Sequence, residues 1–88
     1  MYQSVQFVEP APGADPEETL LGEFEDELVA VESARIARAA FTSSERSEYA
    51  WWVVRESGAQ LANFIADSKS DKEFVLDLRT GELVELNP

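Results

Sequence analysis

With 88 residues and a net charge of −11, from 18 acidic and 7 basic side chains, the chain is short and strongly acidic. Its length suits one hydrophobic core, which excludes a two-domain protein and predicts a single domain over residues 1–88. Its 44 % hydrophobic content excludes a wholly disordered acidic chain, and its lack of cysteine and histidine excludes disulfides, thiolate metal sites and imidazole catalysis.

The N-terminal segment predicts a short strand followed by an exposed loop. Val5 and Phe7 alternate with Ser4 and Gln6, which is the period of a strand with one buried face. The loop at about 9–18 combines acidic residues with three prolines and a glycine, so it interrupts any regular ladder. We expect this acidic Pro/Gly loop to lie on the surface.

The segment 16–24 carries signals for a helix and for a strand. Asp15 followed by Pro16 and two glutamates is typical of a helix start. Gly22 opposes the helix, because glycine costs about 1 kcal/mol relative to alanine in a helix interior. We therefore favour a second strand at 19–24 and keep the helix as the alternative.

The segment 26–41 predicts the helix of the protein. Asp26 can cap its start, and Arg38 near its end complements the helix dipole. An α-helix turns by 100° per residue, which places one group of apolar and small side chains on the same side of this helix, and this side is expected to face the sheet. Its members are Val29, Ser33, Ile36, Ala37 and Ala40.

The C-terminal half predicts a meander of strands. Aromatic and β-branched residues alternate with turn signals at Gly58 and Gly81. The predicted strands are 49–56, 61–66, 73–78 and 82–86, with polar links at 42–48 and 68–71. The expected class is α+β, a mostly antiparallel sheet of four to six strands with one helix, at about 26–41, packed on one face.

Two adjacent tryptophans supply the first candidate site. Trp51 and Trp52 must point to opposite faces of a strand, so both cannot lie under one helix. The uncovered tryptophan can form a patch with Tyr49 or Phe64 for a partner protein or a second copy of the chain. The alternative is that neighbouring side chains cover it in a monomer.

Charge is concentrated in the first third of the chain, where residues 1–34 hold nine acidic and no basic side chains. This charge disfavours direct binding to nucleic acid or anionic lipid. The acids lack EF-hand spacing, so a solvated acidic face is favoured over a metal site. We call the following seven residues the acidic pole: Asp15, Glu17, Glu18, Glu23, Glu25, Asp26 and Glu27.

The sequence predicts a non-catalytic accessory or protein-interaction module without a cofactor, acting on an unidentified protein partner or by self-association. One alternative is an acidic inhibitor, immunity protein or nucleic-acid mimic directed at a basic partner. Another is a hydrolase that uses carboxylates and a metal ion. The composition, with two lysines, five arginines and many acidic residues, also resembles that of proteins from salt-rich cytoplasm. Without a signal segment or a long apolar run, the expected location is cytoplasmic, with no membrane contact.

Overall fold

The computed structural model describes residues 1–41, 49–59, 61–68 and 72–86. Within these ranges it shows a small α+β domain with one antiparallel sheet, in the strand order β2-β1-β3-β4-β5-β6, and one helix packed against it. This confirms the predicted fold class. The elements are β1 (Tyr2–Glu9), β2 (Glu17–Phe24), α1 (Glu27–Ala40), β3 (Tyr49–Glu56), β4 (Ala62–Asp67), β5 (Glu73–Asp77) and β6 (Glu82–Leu86). The predicted link at 42–48, and residues 69–71 of the second link, lie outside the described residues.

The ambiguous segment 16–24 is a strand, as favoured. It pairs with β1 from Glu17 to Phe24, and a bulge shifts the register between Ser4 and Val5. The backbone N–H and carbonyl groups of this segment find their hydrogen-bond partners in β1, so they do not need a helix. This pairing overrides the local helix-start signal. The connection from β1 to β2 is thereby shortened to 10–16, and most of its side chains are exposed.

The helix boundaries follow the capping chemistry expected of them. The Asp26 side chain accepts a hydrogen bond at 2.9 Å from the backbone N–H of Leu28, and Arg38 lies in the last turn. Phe41 turns to extended backbone with ψ of 127° and ends the helix. Both ends therefore complement the dipole of α1.

The helix packs on the sheet through a stripe that shares Ala37 with the predicted one but differs from it in the larger side chains. Ala30, Val31 and Ala34 are buried, whereas Val29 is 48 % and Ile36 is 68 % exposed. Alanines at this contact allow the helix to lie close above the large side chains of the sheet. Because alanine is only weakly apolar, the helical pattern favoured the larger Val29 and Ile36, and that prediction was wrong.

The core lies between α1 and the sheet, with Trp52 at its centre. Trp52 is fully buried and meets the ring of Phe41 edge-on at 5.4 Å. Its Nε1–H donates to Oε1 of Gln6 at 2.9 Å, and Gln6 lies directly opposite in β1. The indole therefore fills the core while its one polar atom keeps a partner. The other buried side chains of this core are Ala30, Val31, Ala34, Ala50, Val54, Phe64 and Ala66.

Two glycines make the turns that the sequence predicts in the second half of the chain. Gly58 follows β3 with φ of 84°, and Gly81 precedes β6 with φ of 73°. Residues with a Cβ rarely adopt these angles. The N–H of Gly81 also donates to the carbonyl of Asp77 at 2.8 Å, which closes the turn between β5 and β6.

One polar side chain in the core lacks a partner and leads to a stability prediction. Ser4 is fully buried opposite Val54, and its Oγ has no hydrogen-bond partner among the described residues. We expect Ser4→Ala to raise the free energy of unfolding by about 1 kcal/mol in urea, since it removes a buried unsatisfied hydroxyl. Ser57→Ala, at an exposed turn, should change it little. A loss of stability in Ser4→Ala would contradict this explanation.

Candidate functional site: the open face of the sheet

The side of the sheet opposite α1, called the open face here, carries a continuous apolar row. Directly paired residues of neighbouring strands share a face, so the register defines this row. Its consecutive members, from β2 to β5, are Leu20, Val5, Val53, Ile65 and Phe74, and Glu85 of β6 ends it. Val5 and Val53 in the middle are buried by their neighbours, whereas Leu20 at the edge is exposed.

Three aromatic side chains lie beside this row and are called the aromatic triad. Phe7 pairs with Trp51 in the register, and their rings stack at 5.4 Å with an interplanar angle of 11°. Tyr49 lies 5.5 Å from Trp51, tilted by 39°. All three are half-buried. The alternation in β1 predicts a buried face with Val5 and Phe7, but both lie on the open face, where Phe7 is half-buried. Phe7 was not predicted as a site residue, because its contact with Trp51 depends on how β1 pairs with β3.

The structure separates the four residues predicted for an interaction surface. Tyr49 and Trp51 lie together on the open face, whereas Trp52 and Phe64 are buried under α1. Phe64 shares that side because it pairs with Val54, which faces the helix. Trp52 and Phe64 therefore belong to the core, and the surface consists of the aromatic triad and the apolar row.

Acidic side chains surround the aromatic and apolar centre. We call them the acidic rim, and its members are Glu9, Glu18, Glu23, Asp67 and Glu85. Basic groups on this face are fewer: Nη2 of Arg55 lies 3.8 Å from Glu18, and Nζ of Lys72 lies 3.9 Å from Glu85. The described rim is therefore negative around a nearly uncharged centre.

Tyr49 joins the aromatic centre to the rim. Its hydroxyl donates to Oδ2 of Asp67 at 3.3 Å. Burial raises the pKa of Tyr49 above its ordinary value of 10.0, and the nearby charge of Asp67 raises it further. The phenol stays protonated at neutral pH, so Tyr49 acts here as a hydrogen-bond donor.

The acidic pole does not form one compact cluster. All seven of its residues are exposed. Glu18 and Glu23 belong to the acidic rim, while Glu25, Asp26 and Glu27 lie where β2 leads into α1. Within the described ranges, no three or more potential ligand side chains are grouped to hold a metal ion.

An ion pair on the helix side links α1 to β5. Nε and Nη2 of Arg35 donate to the two carboxylate oxygens of Glu73, each at 2.9 Å, and the guanidinium lies 5.7 Å from the centre of the Phe64 ring. The hydrogen bonds to Glu73 raise the pKa of Arg35 further above its already high value. This bidentate geometry positions the helix on the sheet.

Comparison of the chain with protein-family models, curated protein sequences and solved structures finds no match. In the part of the chain that the structure describes, no helix has the length and apolar character to cross a bilayer. What the chain does must therefore be inferred from its own surfaces.

The concentration of acidic charge leads to a prediction about salt. We expect the free energy of unfolding in urea to rise between about 0.1 M and about 1 M NaCl, because the Debye length falls from about 10 Å to about 3 Å. Glu17→Lys, Glu23→Lys and Glu25→Lys together should reduce this dependence, since all three are exposed in the acidic pole. Glu18 stays unchanged because its carboxylate is 3.8 Å from Arg55.

The triple variant also serves as the control for a second effect of salt. Concentrated salt strengthens apolar burial in any protein, so only the part of the rise that the variant loses comes from charge. An identical response of parent and variant would show that the acidic pole is not repulsive. It would also remove the physical basis for connecting the composition with a salt-rich environment.

Proposed function

We propose that this protein is a non-catalytic interaction module that binds a partner protein through the open face of its sheet. The observation that carries the proposal is the aromatic triad beside an apolar row, on a face over which no second layer of described residues packs. Sheets commonly bury an apolar face against another layer. Here a partner supplies that layer.

The composition of the open face fits the anatomy of a binding surface. Tryptophan and tyrosine are enriched at the centres of protein interfaces, where a polar rim surrounds them. Trp51 lies between Phe7 and Tyr49, with the acidic rim around them. The two ring contacts hold Trp51 in place before binding, which lowers the entropy cost of ordering it.

The charge of the rim favours a basic partner over a second copy at this face. Two copies meeting face to face would bring acidic rims together, which is unfavourable. A partner whose apolar patch is surrounded by lysine and arginine would instead be attracted to the net negative charge of the acidic rim, in which Glu23 is exposed. Inhibition of a basic protein is one activity that such binding would provide.

The chemistry of the open face supports binding rather than catalysis. The described side chains at its centre are apolar or aromatic, and their one titratable group is the Tyr49 hydroxyl, which donates to Asp67. The carboxylates lie around this centre and carry the charge of the surface. These carboxylates can attract a partner, but none of them places a nucleophile at the aromatic and apolar centre of the open face.

The proposal is tested by comparing Trp51→Ala with Ile36→Ala in affinity capture from cells of the source organism. Ile36 is an exposed apolar residue on the outer side of α1, so it controls for loss of a surface hydrophobe. The expected result is a stoichiometric basic partner that both the parent and Ile36→Ala retain and Trp51→Ala loses. With the purified partner, Trp51→Ala should weaken binding about 30-fold, as for an interface hot spot of about 2 kcal/mol.

Two results would contradict the proposal. One is a partner that binds the parent and Trp51→Ala equally well, which would place the contact elsewhere. The other is a partner with an acidic contact surface, which would conflict with the rim. Retention of the Trp52 fluorescence spectrum in Trp51→Ala checks that the variant is folded.

A further inference from the structure

The two edges of the sheet differ in how they are protected. At one edge, β2 packs against α1 and exposes Glu17, Glu18 and Glu23. At the other, Leu83 is 46 % and Val84 is 47 % exposed, on opposite faces of β6. Arg35 of α1 reaches Glu73 of β5 through its side chain, but among the described residues the backbone of α1 lies near neither β5 nor β6. An edge strand without cover presents backbone N–H and carbonyl groups to another strand.

Charge also distinguishes these edges. Three of the four acidic side chains described in the β5–β6 hairpin lie within 4.0 Å of a basic group: Glu73 near Arg35, Asp77 near Arg79 and Glu85 near Lys72. The β2 edge lies five strand spacings away, which is about 24 Å. This distance exceeds the Debye length of about 8 Å at physiological salt, so the β6 edge is screened from those acids.

We propose that β6 is the site where two copies of this chain join, with their β6 strands antiparallel about a two-fold axis at Val84. The joint places the two β2 edges at opposite ends of a continuous sheet. Two strongly acidic chains can therefore associate there with the least repulsion. The open faces stay available, so this association is independent of the proposed partner binding.

The sequence of β6 selects this register. Centring the axis on Val84 pairs all five residues of the strand, with Glu82 opposite the partner's Leu86 and Leu83 opposite the partner's Glu85. Each acid thus faces a leucine. A shift by one residue moves every side chain to the other face of the joined sheet, and in one direction it sets Glu82 opposite the partner's Glu85.

The same register continues an existing row of the core. On the helix side, Phe64 pairs with Val75 and Val75 with Val84. In the joined sheet this row continues through the partner's Val84 into its own Val75 and Phe64. Val84, half-exposed in one copy, is then covered by its counterpart. A joint of five residues is smaller than a standard interface, so the dimer is weak and depends on concentration.

Sedimentation equilibrium of the full chain, from low micromolar to millimolar concentration, tests the proposal. The average mass should rise from the 9.8 kDa of one chain towards twice that value. Val84→Lys should keep it at one chain, because two lysines would then face each other. Leu20→Lys is the matched control: it makes the same charge change at the β2 edge, on a residue that is 52 % exposed, and should leave dimerisation intact.

A constant mass of one chain for the parent protein at all concentrations would overturn the proposal without any variant. Dimerisation that persists in Val84→Lys, or that Leu20→Lys abolishes equally, would place the contact elsewhere. Leu83→Glu repeats the test from the other face of β6, because it sets an acid opposite the partner's Glu85 and should weaken dimerisation. Urea unfolding confirms that each variant folds. None of these outcomes depends on the partner proposed for the open face.

Discussion

Trp52→Ala is expected to lower the free energy of unfolding by about 3–5 kcal/mol, which is the range for deleting a large buried aromatic side chain. Trp52 is fully buried and packs against Phe41, so its removal leaves a cavity between α1 and the sheet. It also leaves Oε1 of Gln6 without its donor. The total free energy of unfolding of a small domain is about 5–15 kcal/mol. The urea concentration at the unfolding midpoint should therefore fall markedly.

Trp51→Ala is the matched control for this prediction, because the same residue type is truncated at the next position. Trp51 is half-buried and stacks on Phe7. We expect a loss of about 1–1.5 kcal/mol, the upper part of the range for an aromatic pair. Equal losses in the two variants would contradict the assignment of Trp52 to the core and Trp51 to the open face.

Ala34→Leu is expected to destabilise the protein by about 1–3 kcal/mol through overpacking. Ala34 is fully buried where α1 lies on the sheet, and a longer side chain there would force the two layers apart. Ala39→Leu makes the same change on the exposed side of the same helix and should stay within about 0.5 kcal/mol of the parent. Thermal or urea unfolding of both variants measures the difference. Similar effects at the two positions would contradict the observed orientation of α1.

The strands were largely predictable because their signals are local. Alternating residues and the turns at Gly58 and Gly81 locate β3 to β6 within one residue of their observed ends. The helix was also located within one residue, since Asp26 caps it. Which of its sides meets the sheet was not predictable, because Ala30 and Ala34 have the same helical spacing as larger apolar residues on the outer side.

The candidate site was only partly predictable, for a related reason. Adjacency in a strand places Trp51 and Trp52 on opposite faces, but it does not decide which face the helix covers. The contact of Phe7 with Trp51 depends on the pairing of β1 with β3, two strands that are distant in sequence. The acidic rim likewise combines residues of four strands, so its charge follows from the composition but its position follows only from the order of the strands.

The most direct test of the open face is fluorescence quenching in two proteins with a single tryptophan. Trp52→Phe leaves Trp51, and Trp51→Phe leaves Trp52. At low ionic strength, and with each ion compared with its own quenching of free tryptophan, Trp51 should be more accessible to Cs⁺ than to iodide, because the acidic rim attracts cations. Neither ion should quench the buried Trp52. If Trp51 is as protected from both ions as Trp52, another layer already covers the face and no binding surface is exposed.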